Sequence, residues 1–474
     1  MKRPSSFALV STLGAVGLVI GAFSCGGTNS GSGFDNGDNN DGGQFGKDGG
    51  FGGDGGGPCH GIGCNVDPCS GNSAATTISG KVYAPNGTLP LYNVIVYVPN
   101  DPLGSFTDGV SCDTCGKVSG NPITSTVSNA DGTFTLKGVP NGPNIPLVFQ
   151  VGKWRRQVTV SNVAKCTDNP ITDPNLTRLP RNHTEGDIPH IAVTTGGCDK
   201  IACVLPKMGI DASEFGIQPD YSSKRVILYA GSGDPYWSDP PAGITPAANL
   251  WGDANELKKY DVAVFSCECD EHYETKPAPA QQNVYDYLNE GGRTFGTDFM
   301  YTWVHTGNET SADPAPADLS PLLQGFIGGA PGGNNGNYAI NTTFPKGQAL
   351  DQWLQAVGGS AGAGKVALSS VWSNYQNVNA SLGQEWVNGI SGSGDDQDRV
   401  ISYTTPFSEP DESKRCGKSY YLDVHVGDAP TEDTSNFPTN CGTDLSAQEK
   451  MMVFFLFDLA SCIQDDKGAV NPPR

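Results

Sequence analysis

A group of residues capable of chemistry follows an apolar segment near the middle of the chain. Residues 261–266 (DVAVFS) form a nearly continuous apolar run, which predicts a buried strand. The side chains directly after it are Cys267, Glu268, Cys269, Asp270, Glu271 and His272. Ligands bind beyond the carboxyl ends of strands in open α/β sheets, and a thiol there becomes a nucleophile when a histidine takes its proton. Cys267 is therefore the candidate nucleophile, and His425, on a later strand, is the candidate base.

The same segment admits other interpretations. Glu268 or Asp423 could assist the base, but a carboxylate next to the thiol raises the pKa of that thiol and lowers the fraction of thiolate. Cys269, two positions on, indicates disulfide bonding in an exported protein. His305 and His425 are alternatively polar residues that border a cleft. A metal site is the remaining alternative, with the ligands Glu268, Asp270, His272 and His425.

We take Cys267, His425 and Glu268 as the candidate catalytic residues. No metal ligand set has the spacing of a known metal motif, so we expect no metal and no cofactor.

The elements that must position these residues alternate between strands and helices. Strands are predicted at 188–193, 225–230, 261–266, 293–297, 400–403 and 419–426, and helices at 198–208, 249–259 and 279–289. Strands that are apolar on both faces indicate a parallel sheet covered by helices. Ser446 and Glu449 form a capping box before the apolar segment MMVFFLFDLASCI, which is short for a membrane span and predicts a buried helix. Residues 188–464 are thus predicted to be one α/β domain, followed by a tail at 465–474.

Two segments of this domain resemble a known superfamily. The sequence YDVAVFSCECDE…NVYDYLNEGGRTFGTDF is similar to class I glutamine-amidotransferase-like proteins, particularly their non-catalytic, ThuA-like relatives. CGKSYYLDVHVGD resembles their strand that ends near a histidine. The resemblance implies a flavodoxin-like three-layer fold. In catalytic relatives the cysteine lies on a strained elbow between small residues, whereas Ser266 and Glu268 flank Cys267 here. A TIM barrel is disfavoured because only about six strands are visible.

A smaller β domain is predicted before the α/β domain, at residues 76–165. Its short strands are separated by turns, and Asp131–Gly132 is a strong hairpin signal. The sequence ISGKVYAPNGTLPLYNVIVYV…TSTVSNADGTFTLKGVP resembles the carboxypeptidase regulatory-like domains. That resemblance implies a transthyretin-like β-sandwich without catalytic residues of its own. Residues 166–187 are predicted to connect the two domains, so the predicted fold class is a small all-β sandwich followed by an α/β flavodoxin-like domain.

The N-terminus carries the features of an export signal. Lys2 and Arg3 precede a mostly apolar stretch, residues 7–23, which ends at Ser24–Cys25. Ala22-Phe23-Ser24-Cys25 resembles the lipobox of bacterial lipoproteins, which implies a signal peptide at 1–24 and lipidation of Cys25. The absence of Asp after this cysteine favours the outer membrane. Positions 26–57 contain 15 Gly in 32 residues, so residues 25–75 are predicted to be a disordered tether.

Composition narrows the functional classes. The chain has 474 residues, 63 Gly, 34 Pro and a formal net charge of −21, which makes nucleic-acid binding unfavourable. In an exported protein the 14 cysteines predict disulfides. A zinc cluster of Cys59, His60, Cys64 and Cys69 is disfavoured by its wide spacing. Cys112 and Cys115 are predicted to close a local disulfide.

The sequence as a whole predicts a surface lipoprotein of the cell envelope with a binding or scaffolding role. Its expected partners are the membrane, through the N-terminal lipid, and an extracellular glycan or peptide. The alternative is a hydrolase that uses Cys267 and His425.

Overall fold

The computed structural model describes residues 59–71, 74–113, 118–232, 243–305, 315–328, 335–390, 396–426, 437, 441–442 and 444–468. The predicted signal peptide, Cys25 and most of the predicted tether lie outside the described residues. Residues 56–474 form one compact unit.

The first part of the described chain forms two sheets that pack face to face. Its elements are β1 (Thr77–Lys81), β2 (Ile95–Pro99), β3 (Pro122–Val127), β4 (Thr133–Lys137), β5 (Gly142–Val151), β6 (Trp154–Val163), β7 (Asp168–Ile171) and α1 (Pro174–Thr177). The strand orders are β4-β1-β7 and β3-β2-β5-β6. In β4, Phe134 and Leu136 are buried and alternate with exposed residues. The Phe134 ring meets Phe149 of the facing sheet edge to face, with centroids 5.9 Å apart.

The Asp131–Gly132 turn connects these two sheets instead of closing a hairpin. The turn itself forms as expected, because Gly132 N donates to Asn129 O at 2.8 Å. However, β3 pairs with β2 and β4 pairs with β1. The hairpin prediction was wrong because turn residues specify only a reversal of the chain. Which strands pair is decided by burial, and β2 is buried along its whole length between β3 and β5.

The second part is built on a large mixed sheet. Its strands are β8 (Ile191–Thr194), β9 (Phe215–Ile217), β10 (Val226–Ala230), β11 (Thr245–Pro246), β12 (Val262–Phe265), β13 (Arg293–Thr297), β14 (Leu323–Gln324), β15 (Gly336–Ile340), β16 (Ser360–Gly362), β17 (Lys365–Leu368), β18 (Asn377–Val378), β19 (Gly383–Ile390), β20 (Asp396–Thr405) and β21 (Gly417–Leu422). Its helices are α2 (Ile201–Lys207), α3 (Ala247–Gly252), α4 (Ala254–Leu257), α5 (Ala278–Asn289), α6 (Pro345–Ala356) and α7 (Ala447–Ala460).

The large sheet has a parallel half and an antiparallel half. Its order is β11-β10-β8-β12-β13-β21-β20-β19-β15-β17-β16, with β9 beside β10, while β14 and β18 form a separate pair. The strands from β11 to β21 are parallel, as the apolar runs predict; every residue of β8, β12 and β13 is buried. The strands from β20 to β16 are antiparallel. The parallel sheet that the sequence predicts is therefore one half of a mixed sheet, and the described residues form an α/β and β protein with several sheets.

Helix α7 is the buried helix that the sequence predicts. Ser446 Oγ accepts from Glu449 N, and the Glu449 side chain accepts from Ser446 N at 2.8 Å, which completes the capping box. On one side, Phe457 meets Trp154 of the sandwich; on the other, Phe455 meets Trp386 of the large sheet. The helix therefore packs between the two parts of the fold. Among the described helices, none combines the length and the apolar character needed to cross a bilayer.

Five disulfides join described cysteines: Cys59–Cys64, Cys69–Cys166, Cys112–Cys416, Cys198–Cys269 and Cys203–Cys441. The local bond predicted between Cys112 and Cys115 was wrong. The loop that carries Cys112 docks on the α/β part, where Val110 N donates to Lys258 O at 2.9 Å. Cys112 consequently lies beside Cys416, at the start of β21.

Candidate functional site

Four adjacent parallel strands bring their carboxyl ends together at one edge of the large sheet. In sheet order they are β8, β12, β13 and β21. The residues that follow them are Asp199, Cys267, Asp298 and His425. Because parallel strands end at the same edge, residues that are far apart in sequence meet here. This topology assembles the two residues that the sequence singled out, Cys267 and His425.

Cys267 is a buried free thiol at the centre of this group. Its side chain is 0 % exposed, and it is the one cysteine among the described residues that forms no disulfide. Sγ donates a hydrogen bond to Asp298 Oδ2 at 3.3 Å. Burial, with the nearby charges of Asp298 and Asp199, raises the pKa of the Cys267 thiol well above its ordinary value. The neutral thiol is therefore the stable form.

His425 shares the same carboxylate oxygen. Its Nε2 lies 2.6 Å from Asp298 Oδ2, and its side chain is 12 % exposed to solvent. Burial lowers the pKa of His425, but the hydrogen bond and charge of Asp298 outweigh it and raise that pKa above its ordinary value. An imidazole held in this way can exchange a proton with a group that approaches from the exposed side.

Asp298 is the residue on which the arrangement depends, and the sequence analysis missed it. It directly follows β13, is fully buried and adopts a left-handed backbone conformation with φ 41°. Asn374 Nδ2 donates to its Oδ1 at 2.8 Å and to Asp423 Oδ1 at 2.6 Å. Asn374 thereby fixes the carboxylate so that Oδ2 faces Cys267 and His425. The strand-end rule that selected Cys267 would also have found Asp298.

Asp423 and Asp199 lie behind this group. Asp423 forms an ion pair with Arg399 at 3.3 Å, and burial together with the charge of Asp298 raises its pKa to about 7. Burial likewise raises the pKa of Asp199 to about 6. Asp423 is therefore linked to this group through Asn374, and it is the Asp298 carboxylate that bonds to the imidazole of His425.

The other candidates lie apart from this centre. Glu268 is buried in an ion pair with Lys276 and accepts from Ser232 N at 2.5 Å. Successive side chains of an extended segment point in opposite directions, so Glu268 faces away from Cys267. Cys269 is bonded to Cys198. His272 pairs with Glu274 at 2.9 Å. The four-residue metal site considered from the sequence is therefore not assembled.

A continuous row of aromatic side chains runs from His425 to His305. Neighbouring rings in this row, which we call the aromatic row, have centroids 3.9–6.0 Å apart. Its members, in order, are His425, Trp372, Phe299, Tyr301, Phe326 and His305. Phe299 and Tyr301 are buried, whereas Trp372, Phe326 and His305 are half-buried. The row is therefore partly exposed near its two ends, at Trp372 with His425 and at Phe326 with His305, and buried between them.

Three side chains offer metal-ligand atoms at the same point. Cys267 Sγ, an Asp298 carboxylate oxygen and a ring nitrogen of His425 all lie within 4.8 Å of one another. Among the described residues, no other carboxylate or imidazole named above joins them.

Comparison with known proteins gives distant structural likenesses. No protein-family model matches the sequence, and no curated protein matches it. Solved structures that resemble the chain include a ThuA-like protein from Bacteroides uniformis, with 11% identity over 56% of this chain and 89% of that one and a TM-score of 0.28. A cytoplasmic protein from Salmonella typhimurium has 9% identity over 59% of this chain and 100% of that one, also with a TM-score of 0.28. A type II cohesin–X-dockerin complex from Acetivibrio cellulolyticus has 14% identity over 32% of this chain and 88% of that one, with a TM-score of 0.15.

Proposed function

We propose that this chain is a lipid-anchored protein of the cell envelope that binds a glycan outside the cytoplasm, of the peptidoglycan class, through the aromatic row. The observation that carries the proposal is the row itself, which joins half-buried Trp372 and Phe326 to His425 and His305. Binding sites for small ligands combine aromatic walls with a few polar groups that fix orientation. Here the rings supply the wall, and the two histidines supply the polar groups.

Export is supported by two independent features. The N-terminal segment that ends at Cys25 has the parts of a lipoprotein signal. Five disulfides among the described residues are typical of an oxidising compartment, because cytosolic proteins keep their thiols reduced. The lipid would hold the protein at the membrane, and we propose the outer membrane as its location.

The buried thiol supports binding over thiol catalysis. A nucleophile must reach its substrate as a thiolate. Cys267 is fully buried, and its Sγ–H is engaged with Asp298. Trp372, by contrast, is half-buried and lies beside His425, with ring centroids 5.4 Å apart. At this edge of the large sheet, the aromatic row is therefore the feature exposed enough to contact a ligand.

Hydrolysis by Cys267 and His425 is the second candidate. One specific observation favours it, since both side chains bond to the same Asp298 oxygen. For catalysis, Cys267 would have to become exposed and its proton would have to pass to His425. Loss of an esterase or amidase activity in Cys267→Ser would support this candidate, and an unchanged activity would exclude it.

Calorimetric titration of the detergent-solubilised full-length protein tests the binding role. The probes are a soluble peptidoglycan disaccharide-peptide, the disaccharide alone and the stem peptide alone. We expect the disaccharide to bind and Trp372→Ala to weaken binding at least about tenfold, since an aromatic anchor contributes more than about 1.4 kcal/mol. Leu176→Ala, at an exposed apolar residue following the sandwich strands, is the control and should bind normally. Binding of the stem peptide alone, or equal affinity in Trp372→Ala, would overturn the glycan proposal.

Mass spectrometry of the mature N-terminus tests the anchor. We expect an acylated Cys25 as the first residue, and Cys25→Ser should abolish acylation. An unmodified Cys25 within a longer or differently cut chain would contradict this part of the proposal.

A further inference from the structure

The donor set at the carboxyl end of the large sheet matches the chemistry of a zinc-class ion. Cys267 offers a sulfur, His425 an imidazole nitrogen and Asp298 a carboxylate oxygen, all within 4.8 Å of one another. Thiolate and imidazole ligands select zinc and similar transition metals, whereas calcium and magnesium require oxygen ligands. From this juxtaposition we propose that Cys267, Asp298 and His425 bind one zinc-class divalent cation.

The distances are close to those that such an ion needs. Ligand atoms on a tetrahedral zinc ion are about 3.6 Å apart for a sulfur–oxygen pair and about 3.4 Å apart for a nitrogen–oxygen pair. Cys267 Sγ lies 3.3 Å from Asp298 Oδ2, and His425 Nε2 lies 2.6 Å from it. The ion therefore requires Nε2 to move away by about 0.8 Å. His425 is the ligand that retains exposure, so it has room to move.

The surroundings fix the carboxylate ligand in place. Asn374 donates to Asp298 Oδ1 at 2.8 Å, which leaves Oδ2 turned toward the sulfur and the imidazole. Tyr421 OH donates to the Asp298 backbone oxygen at 2.8 Å. Partners of this kind orient metal ligands, and their loss commonly lowers metal affinity 10–100-fold, to order of magnitude.

The charge at this edge also favours a cation. Asp199, Asp298 and Asp423 are three buried carboxyl groups in one small region, and Arg399 is paired with Asp423. A divalent ion would compensate the remaining negative charge. It would also displace the proton from the Cys267 thiol, because only the thiolate ligates.

The predicted coordination leaves one position for a water molecule. Three protein ligands with an open fourth position are characteristic of catalytic zinc sites, whereas structural sites are closed by four. Water can approach along the exposed side of His425. This inference goes beyond the proposed glycan binding, because the ion uses Cys267 and Asp298, which do not belong to the aromatic row, while His425 belongs to both sites.

Cobalt substitution of the full-length protein tests the site. The unreduced protein is treated with a chelator, dialysed and titrated with Co²⁺ in detergent. We expect one equivalent to bind, with visible bands of a four-coordinate ion and a thiolate-to-cobalt charge-transfer band in the near ultraviolet. Zinc should displace the cobalt and remove both signals.

Matched variants separate this site from other binding. Cys267→Ser should lose the charge-transfer band, whereas His60→Asn, at an exposed histidine of the first part, should retain it. The wild-type spectrum decides the question even if Cys267→Ser does not fold. Saturating cobalt without a charge-transfer band, or an unchanged band in folded Cys267→Ser, would overturn the proposal. Cys267 is not part of the aromatic row, so Cys267→Ser should lose the cobalt band and keep glycan binding, which distinguishes failure of one proposal from failure of the other.

Discussion

Cys267 and Asp298 are joined by a hydrogen bond from Sγ to Oδ2 of 3.3 Å, although 31 positions separate them in the sequence. Cys267 lies two residues after the end of β12 and Asp298 one residue after the end of β13, and these strands are parallel neighbours. The contact is therefore a consequence of sheet order. It places a neutral thiol where a nucleophile would be expected and gives that thiol a carboxylate as its acceptor.

This environment predicts that Cys267 resists alkylation in the native protein. Burial removes access, and the raised pKa leaves almost no thiolate at neutral pH. Iodoacetamide treatment of the unreduced native protein, followed by peptide mass spectrometry, should leave Cys267 unmodified. After unfolding in guanidinium, the same residue should be labelled completely.

Leu176→Cys supplies the matched control, because residue 176 is 39 % exposed. The introduced thiol should react in the native state under the same conditions. Rapid native labelling of Cys267 would show that the site opens, and it would support the hydrolase over the binding role.

Parts of the fold and of the candidate site could be predicted from short stretches of the sequence. Residues 261–266 are apolar enough to identify a buried strand, and the capping box at Ser446 identifies the start of α7. The strand-end rule then brings Cys267 and His425 to one edge, as the structure has them. These successes depend on patterns within a few residues.

The missed features depend on long-range pairing. The bond between His425 and Asp298 joins residues 127 positions apart. No periodicity connects such residues, and their meeting requires the order of the strands. The same limit explains Cys112, whose partner Cys416 is 304 positions away. The antiparallel strands β15, β17 and β19 were missed because they lie in a Gly- and Asn-rich region with little apolar sequence.

A buried group of four charges beside α7 predicts loss of stability in acid. Lys346 and Lys418 contact Asp458 and Asp466 at 2.5–2.9 Å. Burial opposes ionisation of Asp458, but the two lysines outweigh it and hold its pKa well below the usual range. The folded state therefore keeps this carboxylate ionised below about pH 4, where the unfolded chain takes up a proton. The free energy of unfolding should fall as the pH drops below that value.

Asp458→Asn tests this account by urea unfolding. The variant leaves two buried lysines with one carboxylate and should lose about 3–5 kcal/mol of stability at neutral pH. Its stability should also depend less on acid than that of the wild type. Asp411→Asn, at a surface ion pair, should change stability by less than about 0.5 kcal/mol. A loss of similar size in both variants would refute the role of burial.

The carboxyl group of Glu385 should make the free energy of unfolding depend on pH in the opposite direction. Burial, with the charges of Asp398 and Asp396, raises the pKa of Glu385 to about 7. Its Oε1 is buried without a hydrogen-bond partner among the described residues. The folded protein therefore retains a proton that the unfolded chain releases near pH ~4.3. This contribution to stability is present in acid and is lost as the pH rises through about 7.

Glu385→Gln removes the ionisation while it keeps the size of the side chain. At about pH 8 the variant should be more stable than the wild type by about 1–3 kcal/mol, and at about pH 4 the two should agree closely. Urea unfolding at the two pH values measures the difference. An equal difference at both values would mean that packing, and not the charge of Glu385, distinguishes the proteins.

The turn between β5 and β6 packs closely against the end of α7, and two glycine variants test how tight this contact is. Gly152 lies in this turn with φ +50°, and a Cβ there would come within 1.8 Å of the backbone oxygen of Ala460, at the end of α7. Gly138 has a similar backbone conformation, with φ +71°, but nothing lies within 4 Å of its Cβ position. Gly138→Ala should therefore cost only the backbone strain of about 1–2 kcal/mol. Gly152→Ala adds a clash worth about 1–3 kcal/mol more, because the neighbouring atom belongs to a helix and cannot rotate away. Urea unfolding of the two variants measures both costs, and equal losses would show that the sandwich and α7 separate easily at this contact.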